Sequence, residues 1–301
     1  MKIAITGGTG FIGKHLTQEL VERGHQVVVI SRGLYTRGEG MPASENVGFV
    51  RANVTESTEL AKAFAGCTAV VQCAGTSEDP SQSFEQVHVD GALSAVTAAR
   101  EAGVQKFVLV SYLRARHGVG SAYLRTKADG EEIVRQSGLN YTILKAGLVY
   151  GKGDHLLTNL GNLLRKLPVF ATVGVREKTV RLIAVEDLVR VIHAALTDDR
   201  LSRKTVAVLG PEEFPFSVAA RRIASAMGKP SLIVLPFPVF VQRLLAAVSK
   251  LMPKPLISAS QVQMLADGIS NPLPDSQPLP EDLAPKTKFT EEQIRKGLPE
   301  S

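Results

Sequence analysis

Residues 2–13 read KIAITGGTGFIG, in which an apolar β-type run passes directly into a glycine-rich turn and then into a helical pattern. Gly7 permits a tight turn, Gly10 lets a phosphate group approach the backbone, and Gly13 lets the helix pack closely. The free N–H groups and positive dipole end of the helix attract phosphate oxygens. A glycine pattern alone is weak evidence, and a purely structural turn is the alternative. Here the strand–turn–helix context is the required one, so the stretch predicts a dinucleotide site.

Outward from this stretch, short apolar strands alternate with longer helical patterns. The predicted strands of the first half are Lys2–Thr6, Gln26–Ile30, Gly48–Arg51, Ala69–Gln72, Lys106–Ser111 and Tyr141–Lys145. The predicted helices between them are Phe11–Arg23, Glu56–Ala65, Val87–Ala102 and Tyr123–Ser137. This alternation is typical of βαβ units. The predicted fold class is α/β, a doubly wound parallel sheet (Rossmann fold) with a smaller, irregular C-terminal substrate or partner domain.

The domain boundary is predicted near residue 155. Residues 1–155 form the dinucleotide-binding domain and residues 156–301 the smaller domain, with about 176–209 returning to the first. The later predicted elements are a helix over Leu156–Leu167, a strand over Lys178–Ile183, a helix over Val185–Leu196 and a strand over Thr205–Leu209. The tail from Asn271 to Pro285 is rich in proline and is expected to run over the surface.

The end of the second strand indicates which dinucleotide is preferred. A carboxylate at this point accepts a hydrogen bond from the 2′-hydroxyl of the adenosine ribose and repels a 2′-phosphate. The sequence has Ser31 and Arg32 here instead. A hydroxyl and a guanidinium suit the extra phosphate. The pair therefore predicts NADP(H) as the preferred cofactor, with NAD(H) possible, unless Arg32 is only a solvated loop residue.

Composition narrows the function classes. The net charge is +6, spread along the chain, and there is no tryptophan, so nucleic-acid binding is not expected. The two cysteines, Cys67 and Cys73, are expected to be buried, reduced thiols, and no His or Cys cluster predicts a metal site. No signal-peptide core and no bilayer-length apolar run is evident. The expected location is therefore the cytoplasm.

The ordered motifs resemble the short-chain dehydrogenase/reductase superfamily in its extended and atypical branches. They are residues 6–13, Arg51-Ala-Asn-Val54, Cys73-Ala-Gly75, Tyr123-Leu-Arg-Thr-Lys127 and Gly147-Leu-Val-Tyr-Gly151. Further matches, among them Tyr141-Thr-Ile-Leu144, Gly151-Lys-Gly-Asp154 and Val185-Glu-Asp187, are similar to one subgroup. That subgroup is the NAD(P)H-binding proteins similar to the nucleotide-binding accessory subunit of respiratory complex I, which are often described as NAD-dependent epimerases or dehydratases.

The glycine turn and the resemblance together assign the cofactor-binding residues. They are Gly7, Thr9, Gly10, Phe11, Ile12, Gly13, Ser31, Arg32, Asn53, Val54, Cys73, Ala74, Gly75, His88 and Lys127. His88 stands where catalytic relatives usually carry Asn, so it either contacts the cofactor, relays a proton, or is a satisfied, partly buried histidine.

The resemblance assigns catalysis to Tyr123, Lys127 and Ser111. Tyr123 and Lys127 are four residues apart and share a helix face, where the ammonium favours the phenolate and Tyr123 can move a proton. Ser111 would orient the reacting oxygen, although alignment on the strand puts Tyr112 at the usual place of this hydroxyl. Lys145-Ala-Gly147 also departs from the Arg-Pro-Gly of relatives.

Two functions therefore stay open. The first is an oxidoreductase that acts on a small carbonyl or hydroxyl compound. The second is a non-catalytic NADPH-holding protein with a structural, assembly or redox-sensing role in a respiratory or membrane complex. Residues 238–254 predict a basic amphipathic helix, which either closes the substrate domain or makes a peripheral membrane or partner contact.

Overall fold

The computed structural model describes residues 1–33, 41–42, 44–75, 83–166, 169–173, 177–237 and 270–298. The chain divides into two compact units. Unit 1 comprises Met1–Ala146, Leu188–Val208 and Pro274–Leu283, and unit 2 comprises Gly147–Asp187, Leu209–Leu273 and Ala284–Ser301. The predicted amphipathic helix at 238–254 lies outside the described residues.

Unit 1 is built on a parallel sheet of eight strands in the order β14-β11-β6-β5-β4-β1-β2-β3. Its strands are β1 (Lys2–Thr6), β2 (Gln26–Ser31), β3 (Val47–Arg51), β4 (Ala69–Gln72), β5 (Lys106–Tyr112), β6 (Tyr141–Ala146), β11 (Lys204–Val208) and β14 (Gln277–Pro278). The helices α1 (Phe11–Glu22), α2 (Ser57–Phe64), α3 (Gly91–Glu101) and α4 (Ala122–Gln136) connect the strands. The helix α6 (Val185–Thr197) leads into β11. This is the predicted Rossmann architecture, which the structure confirms.

The strand sequences explain why the sheet is central. β1, β2 and β4 are nearly continuous apolar runs because helices cover both faces of a doubly wound sheet. Val27, Val29 and Ile30 of β2 and Val70 and Val71 of β4 are all buried. Reversal of the strand order between β1 and β4 opens a crevice at their carboxyl ends, which is where ligands bind in such sheets.

Two local predictions are wrong. The helix predicted over Val87–Ala102 begins with a π-helical turn, Gln86–Asp90, before α3 starts at Gly91. The single strand predicted over Lys178–Ile183 is two short strands, β9 (Thr179–Val180) and β10 (Ile183–Ala184). The tail from Asn271 runs over the surface as expected, and the two exposed residues of β14 also pair with β11 as the eighth strand of the sheet.

A buried charge network links β6 to this tail. Lys145 is fully buried, and its Nζ lies 3.2 Å from Glu131 Oε2 and 2.7 Å from Asp275 Oδ2. The ammonium also donates to the Ala115 carbonyl at 3.0 Å. Arg135 Nη2 adds a second cation 2.8 Å from Glu131 Oε2. The burial of these charges is tolerated because each has an opposite partner.

Unit 2 consists of short parallel and antiparallel strand pairs with α5 (His155–Lys166), α7 (Phe216–Ala226) and α8 (Glu291–Gly297). The strand pairs are β7 (Val149–Tyr150) with β10, β8 (Val169–Val173) with β13 (Ile233–Phe237), and β12 (Phe214–Pro215) with β9. Buried Asp187 accepts hydrogen bonds from the backbone N–H groups of Lys286 and Thr287 at 2.9 and 2.7 Å. These bonds tie the C-terminal segment into the unit.

Replacement of the buried ammonium tests the network. Lys145→Met keeps the side-chain length but leaves Glu131 with one cation instead of two, so we expect the free energy of unfolding to fall by about 3 kcal/mol. Lys62→Met, on an exposed position of α2, is the matched control and should change it by less than about 0.5 kcal/mol. Urea denaturation measures both. Equal stabilities of the two variants would contradict the role given to Lys145.

Candidate functional site

A cavity of about 560 Å³ lies at the carboxyl ends of four neighbouring strands of unit 1. Its lining comes from the ends of β1 and β2, from the segments after β1, β2, β3 and β4, and from the π-helical turn: Thr6, Gly7, Thr9, Gly10, Ile30, Ser31, Arg32, Gly33, Ala52, Val54, Cys73, Ala74, Gly75 and Val87.

The glycine turn forms one wall of the cavity through close backbone contacts. Gly7 has a φ of +68°, and a Cβ atom there would lie 2.7 Å from the backbone N and Cα of Ala74. A Cβ atom at Gly13 would lie 2.5 Å from the Gly7 carbonyl oxygen. The turn, the end of β4 and the first turn of α1 are therefore in direct backbone contact, which side chains at these positions would prevent.

The start of α1 presents hydrogen-bond donors. Gly10 is its N-cap and provides no side-chain oxygen to satisfy the first N–H groups. Beside it, the buried hydroxyl of Thr6 has no hydrogen-bond partner within the described part of the chain. This arrangement fits a dinucleotide pyrophosphate for three reasons. The start of α1 offers backbone N–H donors, the buried Thr6 hydroxyl needs a hydrogen-bond partner, and the glycine turn has no side chains that would obstruct a phosphate.

Ser31 and Arg32 line the same cavity at the end of β2. Arg32 is exposed, and Ser31 Oγ accepts a hydrogen bond from Gly33 N at 3.3 Å. Asn53 lies between the cavity residues Ala52 and Val54, and its Oδ1 accepts a hydrogen bond from Thr55 N at 3.4 Å.

Lys127 reaches the cavity from α4. A Cβ atom at Gly75 would lie 3.4 Å from Lys127 Nζ, so the ammonium sits against the loop after β4. Burial lowers the pKa of Lys127 to about 8, while Glu131 and Cys73 act in the opposite direction. Burial raises the pKa of the Cys73 thiol to about 12, so this thiol is protonated at neutral pH.

Tyr123 lies one turn before Lys127 and is surrounded by aromatic rings. Its ring makes edge contacts with Phe84, His88 and Tyr112 at centroid distances of 5.6, 5.4 and 5.8 Å. Burial raises the pKa of the Tyr123 phenol to about 12. The phenol is therefore protonated at neutral pH, and the lowering of its pKa that was expected from Lys127 does not accompany this rise.

Ser111 and His88 are both buried. Ser111 Oγ donates to Glu131 Oε1 at 2.5 Å, which joins Ser111 to the charge network of Lys145. His88 Nδ1 lies 2.9 Å from Thr126 Oγ1, and its ring stacks on Phe84 at 5.8 Å.

Nine of the predicted cofactor residues line the cavity: Gly7, Thr9, Gly10, Ser31, Arg32, Val54, Cys73, Ala74 and Gly75. Phe11, Ile12, Gly13, Asn53, His88 and Lys127 lie around it in the positions described above or at the start of α1. The lining residues that the sequence analysis did not select are Thr6, Ile30, Gly33, Ala52 and Val87. Most of them lie at or just after the end of a strand, and this position is the signal by which the sequence could have identified them.

This fold and cavity define a nicotinamide-dinucleotide-binding Rossmann protein, and comparison with known proteins agrees. A profile of NAD(P)H-binding proteins matches residues 7–164, just over half of the chain. The Thermus thermophilus UDP-glucose 4-epimerase in complex with NAD has a TM-score of 0.69 at 22% identity, over 98% of this chain and 97% of that one. The chain belongs to this NAD(P)H-binding family, as the resemblance predicted.

Relatives within the family have diverse names. A ceramide reductase of Caulobacter vibrioides is 31% identical over 240 residues, 78% of this chain and 74% of that protein. The photosystem II assembly factor Ycf39 of Synechocystis is 28% identical over 70% of this chain and 63% of that protein. Subunit 9 of the mouse mitochondrial NADH dehydrogenase 1 alpha subcomplex is 28% identical over 93% of this chain and 74% of that protein.

The chain spans about a quarter of the length of the first curated relatives, which are uncharacterized mycobacterial proteins 27% identical over 76% of this chain and 24% of theirs. Within the described residues, no helix is both long enough and apolar enough to cross a bilayer.

The contact between the glycine turn and Ala74 can be tested directly. Gly7→Ala combines an unfavourable φ with overlap on the Ala74 backbone, so we expect NADPH affinity to fall at least about tenfold, or 1.4 kcal/mol. Gly24→Ala is the matched control, because Gly24 has a φ of +79° but no atom within 4 Å of its Cβ position. Isothermal titration calorimetry measures both; undiminished affinity in Gly7→Ala would contradict the turn's role.

Proposed function

We propose that this chain is an NADP(H)-dependent oxidoreductase that reduces a small carbonyl compound. The observation that carries the proposal is the arrangement of Tyr123 and Lys127 on one face of α4, with Lys127 Nζ against Gly75 at the cavity. This arrangement supports the assignment of a proton donor and a cation to a site that fits a nicotinamide dinucleotide. The name of the ceramide reductase relative supports the reductive direction.

The protonation states suit the reduction of a carbonyl group. When bound, NADPH would supply the hydride to the carbonyl carbon. A phenol whose pKa is raised to about 12 holds its proton at neutral pH and can donate it to the carbonyl oxygen as that oxygen gains charge. Lys127, with a pKa lowered to about 8, is charged at neutral pH, and its ammonium beside Gly75 would hold the dinucleotide at the cavity. Its proton is also easier to release than that of an ordinary lysine.

Removal of the phenol hydroxyl tests this role. Tyr123→Phe should lower the rate of NADPH-dependent reduction about 100-fold or more on any carbonyl compound that the wild type turns over. NADPH affinity should change little, because the ring remains in its aromatic surroundings. Tyr141→Phe, at the start of β6, is the matched control. An unchanged rate in Tyr123→Phe would exclude the proton-donor role.

The pH profile tests Lys127. Since the pKa of Lys127 is lowered from its ordinary value to about 8, reduction should be constant below that pH and fall above it as the ammonium loses its proton. Lys127→Arg keeps its charge, so its rate, although lower, should not fall until higher pH. Steady-state kinetics between pH 6 and 10 measure this. Identical profiles for the wild type and Lys127→Arg would assign the fall to another group.

The cofactor preference is proposed from Ser31 and Arg32, both of which line the cavity. Arg32 would pair with the 2′-phosphate of NADP(H), while NAD(H) gains nothing from the guanidinium. Arg32→Ala should weaken NADPH binding about tenfold and leave NADH binding unchanged. Arg100→Ala, an exposed position on α3, is the control. Equal or tighter binding of NADH by the wild type would contradict the preference.

A second candidate function is NADPH holding without turnover, in a structural, assembly or redox-sensing role. The observation that favours it is the engagement of Ser111, whose hydroxyl hydrogen points to Glu131 instead of towards a substrate oxygen. The names of the assembly factor and the NADH dehydrogenase subunit also favour a place in a protein complex. The exchange rate of bound NADPH separates the two functions. Exchange over hours would favour the non-catalytic role, and exchange as fast as turnover would favour the enzyme.

A further inference from the structure

Three aromatic side chains surround Tyr123 near the carboxyl end of β5. Tyr112 is the last residue of β5, His88 lies in the π-helical turn, and Phe84 lies just before that turn. The rings of Phe84, His88 and Tyr112 meet the Tyr123 ring at steep angles of 76°, 80° and 64°. Phe84 and His88 also stack on each other, with 9° between their planes. We call these four rings the aromatic cluster.

The aromatic cluster is partly open to solvent. Tyr112 and His88 are buried, whereas Phe84 and Tyr123 are only half-buried. Part of a purely apolar ring is therefore accessible next to the ring of the proposed proton donor. A ligand that covers the Phe84 ring removes apolar surface from water, which favours binding.

The π-helical turn connects the aromatic cluster to the cavity. Val87 lines the cavity, and the next residue, His88, belongs to the cluster. Single π-helical turns occur frequently at functional sites. Because adjacent residues of this turn border the cavity and the cluster, a small molecule in contact with Tyr123 lies close to the place that fits the dinucleotide.

Contacts with α4 hold the turn and Phe84 in place. His88 Nδ1 lies 2.9 Å from Thr126 Oγ1, and Glu85 Oε2 lies 3.2 Å from Arg125 Nη2. A Cβ atom at Gly130 would overlap the His88 carbonyl oxygen, so the backbone of the turn approaches α4 closely. The rings are thus fixed before a ligand arrives, and binding costs little side-chain entropy.

We propose that the aromatic cluster binds an aromatic ring carried on the carbonyl carbon of the substrate, with Phe84 as the residue that selects it. The proposal rests on the reductase activity proposed above and names its substrates as aryl aldehydes and aryl ketones. The carbonyl carbon accepts the hydride that NADPH supplies when bound, and the carbonyl oxygen accepts the Tyr123 proton, which gives an aryl alcohol and NADP⁺.

The geometry of proton donation brings such a ring to the aromatic cluster. A carbonyl oxygen that accepts the Tyr123 proton lies about 2.7–2.8 Å from the phenol oxygen. The group on the carbonyl carbon then lies next to the rings that surround Tyr123. An aromatic group at this place can meet Phe84 edge-to-face at a centroid distance of about 4.5–7 Å, which is the favoured range for ring pairs.

The charges beside the aromatic cluster favour an uncharged group. Arg125 is paired with Glu85 at 3.2 Å and with Asp129 at 3.1 Å. His117 Nδ1 lies 3.5 Å from the same Asp129. The Arg125 guanidinium is therefore already engaged by two carboxylates, and a carboxylate on the substrate would compete with them instead of meeting an available charge.

Kinetics with two aldehydes test the role of Phe84. The ratio of kcat/KM for benzaldehyde to kcat/KM for glyceraldehyde should fall about tenfold or more in Phe84→Ala, because the aromatic contact is lost. Phe84→Leu keeps an apolar side chain and protects the test against loss of folding, and its ratio should lie between the two. Phe49→Ala, at a half-buried position of β3, is the matched control. An unchanged ratio in Phe84→Ala would overturn the proposal.

Binding of the product separates this proposal from the reductase activity. Saturation-transfer NMR of benzyl alcohol with the full-length protein and NADP⁺ should show binding by the wild type and Phe49→Ala that is weakened about tenfold in Phe84→Ala. Such binding without reduction of any aldehyde would support the aromatic site and contradict the reductase. Reduction of aldehydes, with benzyl alcohol binding that is absent or independent of Phe84, would support the reductase and overturn the aromatic site.

Discussion

The nucleotide site depends on the backbone contact between Gly7 and the end of β4. The positive φ of Gly7 and the 2.7 Å approach of its Cβ position to Ala74 bring the glycine turn, the start of α1 and the loop after β4 to one place. Cys73 N donates to Thr6 O at 3.0 Å, which continues the β1–β4 pairing to the edge of the cavity. Without this approach, the helix donors and the loop that meets Lys127 would not face the same space.

Burial governs the chemistry of the groups around this space. It keeps the phenol of Tyr123 and the thiol of Cys73 protonated and makes the Lys127 ammonium easier to deprotonate. Glu131 has two effects: its charge acts to raise the pKa of Lys127, and its Oε1 accepts a hydrogen bond from Ser111 Oγ. It is itself neutralised by Lys145 and Arg135. Structural and functional charges are therefore parts of one network along α4 and β6.

The sequence predicted most of the fold because its signals are local. The bounds of β1 and β4 match the structure, and apolar runs, turn glycines and helix periodicity predicted the order of the elements through residue 146. The nine cavity residues that were predicted follow strands or belong to the glycine turn. The π-helical turn at Gln86–Asp90 was missed because its sequence pattern is that of an ordinary helix start.

Features that depend on distant segments were not predictable. β14 is two residues of a proline-rich tail that pair with β11, and Asp275 meets Lys145 across 130 positions. His25 Nε2 and His193 Nε2 lie 3.1 Å apart although the residues are separated by 168 positions. The partner of Ser111 is nearer in the chain, 20 positions away, but it lies on a different element, α4. These contacts arise only when the chain is folded, whereas propensity and periodicity report on neighbours along the sequence.

Native mass spectrometry of the purified chain titrated with NADPH tests the central claim most directly. The account predicts a single mass increase that corresponds to one NADPH per chain and saturates with no second increment. A chain that remains folded but acquires no NADPH or NADH at any concentration would contradict the assignment of the cavity as a dinucleotide site.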